Sequence, residues 1–319
     1  MAAVAHYNLL ERLGEGAFSE IYRARDTKFG RTVALRLIRN EAFTAQHVRT
    51  AFLDDARAAA QLSHPNITTL FDVGEYEGGC YLAYEFAAGV NLRQESAGRP
   101  VNPRRAVELA VHIADALAEG HAHGLLHGDI RPETIFVTHK GSGKLLEFGM
   151  ARWTTGGRIR ERAAAAPAAL GSESISVVSY MSPEQSRAGA VDQRTDIYSL
   201  AVVLYELLTG RNAFADATPA ATIENVRNMA PPRPEVEGGS DELATVVLAA
   251  MSKVADARPQ TAAAFAASLR AIGTILDVRA GEAPRTELLP MDDEPTSRWW
   301  LPLLVILALG LAAWWYFAR

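Results

Sequence analysis

Residues 125–137 read LLHGDIRPETIFV, and KLLEFGM follows at 144–150. Together they have the look of an active site with substitutions. Asp129 offers a carboxylate beside Gly128, Arg131 a cation, Thr134 a hydroxyl and Glu147 a second carboxylate. Whether such a set performs chemistry depends on what the rest of the chain brings to the same cleft.

The chain has 319 residues, 49% of them hydrophobic, enough for one large core or two smaller lobes. A net charge of −5, with no long Lys/Arg block, argues against a nucleic-acid partner. The single cysteine, Cys80, lies in the apolar run GGCYLAYEF, so a disulfide framework is excluded and a reducing compartment is expected. It reads most simply as a small core residue.

The N-terminus, MAAVAHYNLLERLGEG, carries neither a basic leader nor an apolar run of signal-peptide length. From Trp299 to Ala318, by contrast, twenty residues carry no charge, enough for a helix to span the ~30 Å hydrocarbon core. Four of the five tryptophans stand at the two ends of this run, with Arg298 and Arg319 closing the flanks. A transmembrane helix over 299–318 is expected, tethering the large N-terminal part at the cytoplasmic face of the inner membrane. Gly310 gives this helix a small residue of the kind that supports dimerisation. The Pro- and acid-rich stretch 281–297 reads as a flexible linker.

Residues 7 to about 89 read as a strand-rich lobe, with RTVALRLI alternating and one helix in TAQHVRTAFLDDARAAAQL. From about 90 to 273 the pattern is helical, and Gly210 closes TDIYSLAVVLYELLTG as a C-terminal cap. Residues 152–182, rich in Gly, Ser and Ala, read as a long mobile loop.

The motifs gain force from their order. LGEGAFSEIY (13–22) puts Gly14 and Gly16 on a turn between strands, which alone reads as a hairpin as readily as a phosphate cradle. Val33-Ala34-Leu35-Arg36, a helix carrying Asp55, HPNI at 64–67, His127-Gly128-Asp129, Glu147-Phe148-Gly149 and Ser182-Pro183-Glu184 then come in series.

In that order, together with SYMSPEQ, DIYSLAVVLYELLTG and Arg258-Pro259, the chain resembles the eukaryotic-like (Hanks-type) serine/threonine protein kinases of bacteria over residues 7–273. The resemblance implies an α+β, two-lobed protein-kinase fold with ATP in the cleft. It further implies an adenine site formed by Ile21, Ala34 and Phe136, with Tyr84 behind it and the backbones of Glu85 and Ala87 at its edge. Gly14, Gly16 and Arg36 would meet phosphates, Asp55 would hold Arg36, and Glu184 would pair with Arg258. Asp129 would handle the substrate hydroxyl proton, assisted by Arg131. Thr134 and Glu147 would be the ligands of Mg²⁺ or Mn²⁺.

Several of these positions depart from the family pattern. Arg36 stands for lysine, Asp55 for glutamate, Thr134 for asparagine, Glu147 for aspartate and Val177 for threonine. Gly128 replaces the arginine that would sense a phosphate on the activation loop. A guanidinium does not present its donors as an ammonium does. A carboxylate moved by one C–C bond is a large error against Mg²⁺–O distances of ~2.0–2.1 Å. Five of these changes, at Arg36, Asp55, Gly128, Thr134 and Glu147, at ~1.4 kcal/mol each sum naively to ~7 kcal/mol, and half of that slows a kinase several hundredfold. The expectation is a membrane-anchored pseudokinase that retains ATP, with signalling proteins as partners. The alternative is an active, atypical kinase with a compensated Arg36–Asp55/Glu147 site, favoured by the preserved charge signs. The histidines of HAHGLLHGD read as a helix end and a core residue rather than a metal cluster.

Overall fold

The computed structural model describes residues 3–16 and 18–281. The expected membrane helix at 299–318, and all of the 281–297 linker but Gly281, lie outside the described residues. Among the described residues no helix is long and apolar enough to cross a membrane.

The N-terminal lobe is an antiparallel sheet of β1 (Ala3–Val4), β2 (Tyr7–Gly16), β3 (Ser19–Asp26), β4 (Arg31–Arg39), β5 (Leu70–Tyr76) and β6 (Gly79–Glu85), in the order β1-β2-β3-β4-β6-β5. Alternation decides its two faces. Val33, Leu35 and Leu37 of β4 join Tyr7, Ala24, Tyr81 and Ala83 in one apolar cluster. Ala34 and Arg36, the residues between them, line the cleft on the other face. Helix α1 (Gln46–Ala59) buries Phe52, Ala56 and Ala59, an i, i+4, i+7 stripe, against Ile38, Leu70, Cys80 and Leu82. Burial pushes the Cys80 thiol up to about 11, as suits a core residue.

The C-terminal lobe opens with β7 (Gly89–Asn91), α2 (Leu92–Ser96) and α3 (Pro103–Ala122), followed by β8 (Ile135–Thr138) and β9 (Gly143–Leu145), which pair as a small sheet β7-β8-β9. Helix α3 starts where Asn102 accepts from the amides of Arg104 and Arg105 and Pro103 occupies the first turn. Beyond come α4 (Thr155–Ala165), α5 (Ile175–Val178), α6 (Pro183–Ser186), α7 (Gln193–Thr209), α8 (Pro219–Asn228), α9 (Asp241–Ala250) and α10 (Ala262–Arg279). Every residue of α7 from Thr195 to Leu208 is buried, the carboxylates of Asp196 and Glu206 included. It ends at Gly210 with φ 75°, which favours glycine. The last helix runs to Arg279, beyond the end of the sequence resemblance at 273.

One expectation is corrected. Residues 152–182 are not an open loop but a chain of short helices with a core of their own. Ala163, Leu170, Val178 and Met181 pack there with Ile223 of α8. Ala163, in the alanine run after Arg162, is fully buried.

Candidate active site

Between the lobes lies a cavity of about 280 Å³, lined by Ile21, Ala34 and Arg36 above, Phe136, Leu146 and Glu147 below, and Tyr84, Glu85 and Ala87 at the back. Its size stands near the ~300 Å³ lower end of small-molecule sites. The apolar floor and roof suit a flat ring. The edge keeps hydrogen-bonding capacity: the amide of Glu85 is spent on the carbonyl of Thr69 at 2.8 Å, but that of Ala87 has no partner among the described residues. Lys144 holds the Glu85 carboxylate at 2.9 Å, turning that charge to the strand beneath. Gly14 and Gly16 belong to β2, whose end pairs Gly16 with Ser19 across the turn. A Cβ at Gly14 would meet nothing within 4 Å, so the protein itself does not require glycine there.

The catalytic-loop segment is fixed from beneath. Asp196 on α7 accepts from the amides of His127 and Gly128 at 2.9 and 2.7 Å and from His121 at 2.9 Å. The His127 ring takes the amide of Asp129 on Nδ1 (3.1 Å), so its Nε2–H donates to the carbonyl of Leu146 (2.9 Å). Burial holds this imidazole below its ordinary pKa, and it stays neutral. Gly128 has φ 70°, a left-handed conformation that favours glycine. Glycine at this position thus adopts the turn without backbone strain.

Asp129 is buried and surrounded by its own chain. Arg131 donates to Oδ1 at 3.2 Å, Arg160 of α4 donates to the same oxygen, and Thr154 approaches Oδ2 at 3.4 Å. Burial pulls the Arg131 pKa down, but Asp129 and Glu133 outweigh it and hold the guanidinium above its ordinary value. Glu133 in turn binds Arg93 at 2.9 Å, and Arg93 reaches Glu206 and Tyr180. A line of alternating charge therefore runs from the loop to α7.

The expected metal ligands are committed elsewhere. Thr134 has a single hydroxyl proton, which serves the carbonyl of Asp129 at 2.8 Å, while its oxygen accepts the amide of Arg131 at 3.1 Å. Glu147 Oε2 accepts from Arg36 Nη1 at 2.7 Å, and both side chains are largely buried. Glu147 also has φ 57°, in the left-handed region that non-glycine residues rarely occupy. An octahedral Mg²⁺ wants several free oxygens. This donor set does not fit one.

The sequence resemblance paired Arg36 with Asp55; the structure does not bring them together. Asp55 instead accepts from Arg152 Nε at 2.6 Å and Trp153 Nε1 at 2.7 Å, at the start of the 152–182 segment. Trp153 meets Phe52 edge-on with ring centroids 5.4 Å apart. Arg36, left to the cleft, turns to Glu147. By contrast Glu184 and Arg258 do meet, through two bonds of 2.8 and 2.9 Å, with Thr195 donating to the same carboxylate at 2.6 Å. Phe148 packs in the C-lobe core, edge-on to His127.

Arg160, Arg152, Trp153, Lys144 and Arg93 were not singled out in the sequence. Arg152 and Arg160, three and eleven positions past Gly149 of the Glu-Phe-Gly turn, carry no period of their own. The one local signal was the Gly156-Gly157 pair inside a helical stretch, where glycine is disfavoured.

A two-lobed fold with this cleft, this catalytic loop and the buried Glu184–Arg258 pair defines a protein kinase domain. The protein kinase domain family matches residues 7–268, and the chain belongs to it. Its relatives are bacterial serine/threonine kinases. The serine/threonine-protein kinase PknB of Mycolicibacterium smegmatis is 36% identical over 300 residues, covering 91% of this chain and 46% of PknB. A probable serine/threonine-protein kinase of Streptomyces coelicolor is 32% identical over 306 residues, covering 91% of this chain and 44% of its own. The chain thus spans about half the length of the curated relatives it matches. Among solved structures, the PknI kinase domain of Mycobacterium tuberculosis superposes with a TM-score of 0.66 at 24% identity, covering 85% of this chain and 96% of that domain. This likeness supports the fold.

Proposed function

We propose that the chain is a membrane-tethered signalling protein that binds an adenine nucleotide in the interlobe cleft and transfers phosphoryl groups poorly, that is, a pseudokinase. The carrying observation is the Arg36–Glu147 ion pair at 2.7 Å, which engages the phosphate-facing cation with the carboxylate that would hold metal. Ile21, Ala34 and Phe136 would enclose the ring, and Ala87 would meet its edge. Arg36 would offer its remaining donors to phosphate. ATP supplies a transferable γ-phosphoryl group when bound. Asp129 is the group placed to orient and accept a hydroxyl proton, with Arg131 beside it. Thr134 and Glu147, committed as they are, support weak or absent Mg²⁺ or Mn²⁺ binding. Tethering rests on the uncharged run 299–318, with the kinase fold on the cytoplasmic side. The partners are signalling proteins, bound as scaffold clients or as substrates.

A second reading, an active atypical kinase, is favoured by the retention of Asp129 and by preserved charge at Arg36, Asp55 and Glu147. Mass spectrometry after incubation with ATP and Mg²⁺ or Mn²⁺ separates the two. Phosphate on Ser or Thr that disappears in Asp129→Asn would overturn the pseudokinase reading. A nucleotide-induced thermal shift without such phosphate supports it, and no shift at all would remove nucleotide binding.

A further inference from the structure

We propose that the C-terminal lobe carries a second binding site, separate from the interlobe cleft, that takes an uncharged amide-bearing ligand in the form of a short extended peptide from a partner protein. It goes beyond the nucleotide reading and does not depend on it. A buried histidine nitrogen without a partner, set in one cavity with the starts of two long helices, carries the inference.

The cavity measures about 530 Å³, against 280 Å³ for the cleft, and shares no lining residue with it. It opens where the last turn of α3, holding His121, and the following Leu125 and Leu126 meet the starts of α7 and α10.

His121 decides what a ligand has to supply. Its Nε2 lies 2.9 Å from Oδ2 of Asp196, a carboxylate that also accepts the amides of His127 and Gly128. In the neutral ring Nε2 therefore carries the proton, and Nδ1 is left as a lone pair. The side chain is only 5% exposed, and Nδ1 has no hydrogen-bond partner among the described residues. Such an atom is unfavourable until an N–H or O–H donor reaches it.

The other walls offer the opposite chemistry. Gln193 and Thr261 bring the first turns of α7 and α10 to the cavity, and the amides of Gln193, Ala262 and Ala263 have no partner among the described residues. First-turn amides form the positive end of the helix dipole and suit an acceptor. The acceptor is not an anion. Arg194, the cation on this wall, is already bound by Asp192 and by Asp256, each at 2.7 Å, so its charge is more than matched.

A lone pair and free N–H groups in one cavity are the complement of an amide, whose N–H and C=O satisfy both. Peptide bonds supply such groups in series, and the chain has a series to meet them. Residues 125–126 belong to no helix or strand, and the Leu126 amide and the Leu125 and Leu126 carbonyls have no partner among the described residues. Both leucine side chains are partly exposed, which gives an aliphatic residue of the peptide an apolar contact.

The test uses the full chain with ¹⁵N-labelled histidine and two neutral probes, acetyl-Leu-Gln-Leu-amide and the same peptide methylated at its backbone nitrogens. The first should bind saturably with a Kd of ~1 mM or tighter and move the His121 Nδ1 resonance upfield. The methylated probe, which lacks the backbone donors, should bind at least ~10-fold more weakly. Leu126→Asp, which puts a charge on the wall, should abolish binding. Gln193→Glu, whose acid in the first turn favours α7, keeps the fold while weakening binding severalfold. Equal binding with and without saturating ATP supports a separate site, whereas displacement by ATP would place the peptide in the cleft and overturn the proposal. An unmoved His121 resonance, or equal affinity for the methylated probe, would overturn it too and leave Nδ1 bonded to a buried water alone.

Discussion

Arg36 Nη1 donates to Glu147 Oε2 at 2.7 Å, so the cation of β4 and the acid after β9 neutralise each other across 111 residues. Glu147→Asp withdraws the carboxylate by about one C–C bond, ~1.5 Å, which breaks this contact. The released carboxylate is then free for a cation. ATP should stabilise the parent about equally in Mg²⁺ and in EDTA, whereas the variant should bind about tenfold more tightly with Mg²⁺, ~1.4 kcal/mol. Calorimetric titration checks this, and strong metal dependence already present in the parent would refute it.

Tyr84 is buried at the back of the cleft, and its hydroxyl has no hydrogen-bond partner among the described residues. Burial, reinforced by the Glu147 charge, keeps the phenol protonated by raising its pKa. An unpartnered buried hydroxyl is destabilising by ~1–3 kcal/mol. Tyr84→Phe should therefore be neutral or raise stability by up to ~1 kcal/mol, while Tyr84→Ala, which opens a cavity, should lower it by ~3 kcal/mol. Urea unfolding measures both. A loss above ~1 kcal/mol in the phenylalanine variant would show that the hydroxyl is satisfied in solution.

His127 is buried and neutral, with Nδ1 accepting from Asp129 N–H and Nε2–H donating to Leu146. Its folded pKa lies below the unfolded value of 6.5 because burial penalises the charged ring. The unfolded chain then binds the extra proton first, so stability is complete above about pH 6.5 and declines as pH falls below it. As pH falls from 7.5 to 5.5 the parent should lose stability that His127→Gln does not lose. Parallel urea titrations at the two pH values decide it.

What the sequence made legible follows from the range of each interaction. The alternation in β4, the apolar run of α7 from Leu200 to Leu204 and the Gly210 cap are local patterns, and each appears where its spacing predicts. The pairing of Arg36 was not legible in that way. Two carboxylates and several arginines meet in one cleft, and their choice depends on geometry that spacing does not encode. Asp55 is taken by Arg152 and Trp153, which leaves Arg36 for Glu147. Residues 152–182 misled for a related reason. Small residues there read as loop, while the close docking of Gly156 and the burial of Ala163 require small side chains.

Glu184 and Arg258 form a bidentate pair in which the Arg258 side chain is fully buried, and Thr195 adds a third bond to the same carboxylate. Burial alone would raise the Glu184 pKa, but the bonds from Arg258 and Thr195 outweigh it and lower the value to about 2. The folded pKa is thus depressed below the ordinary 4.5, so the pair contributes in full above pH 4.5 and is lost as pH falls toward 2. Allowing for the partly exposed carboxylate, this amounts to roughly 2 kcal/mol. Glu184→Gln should unfold more readily at pH 7 and show a shallower loss of stability between pH 4.5 and 3 than the parent. Arg258→Met, which strands the carboxylate, should cost more than the glutamine change, ~3–5 kcal/mol. Unfolding followed by circular dichroism across this range tests both. Parallel acid profiles in parent and Glu184→Gln would mean that another carboxylate governs acid stability.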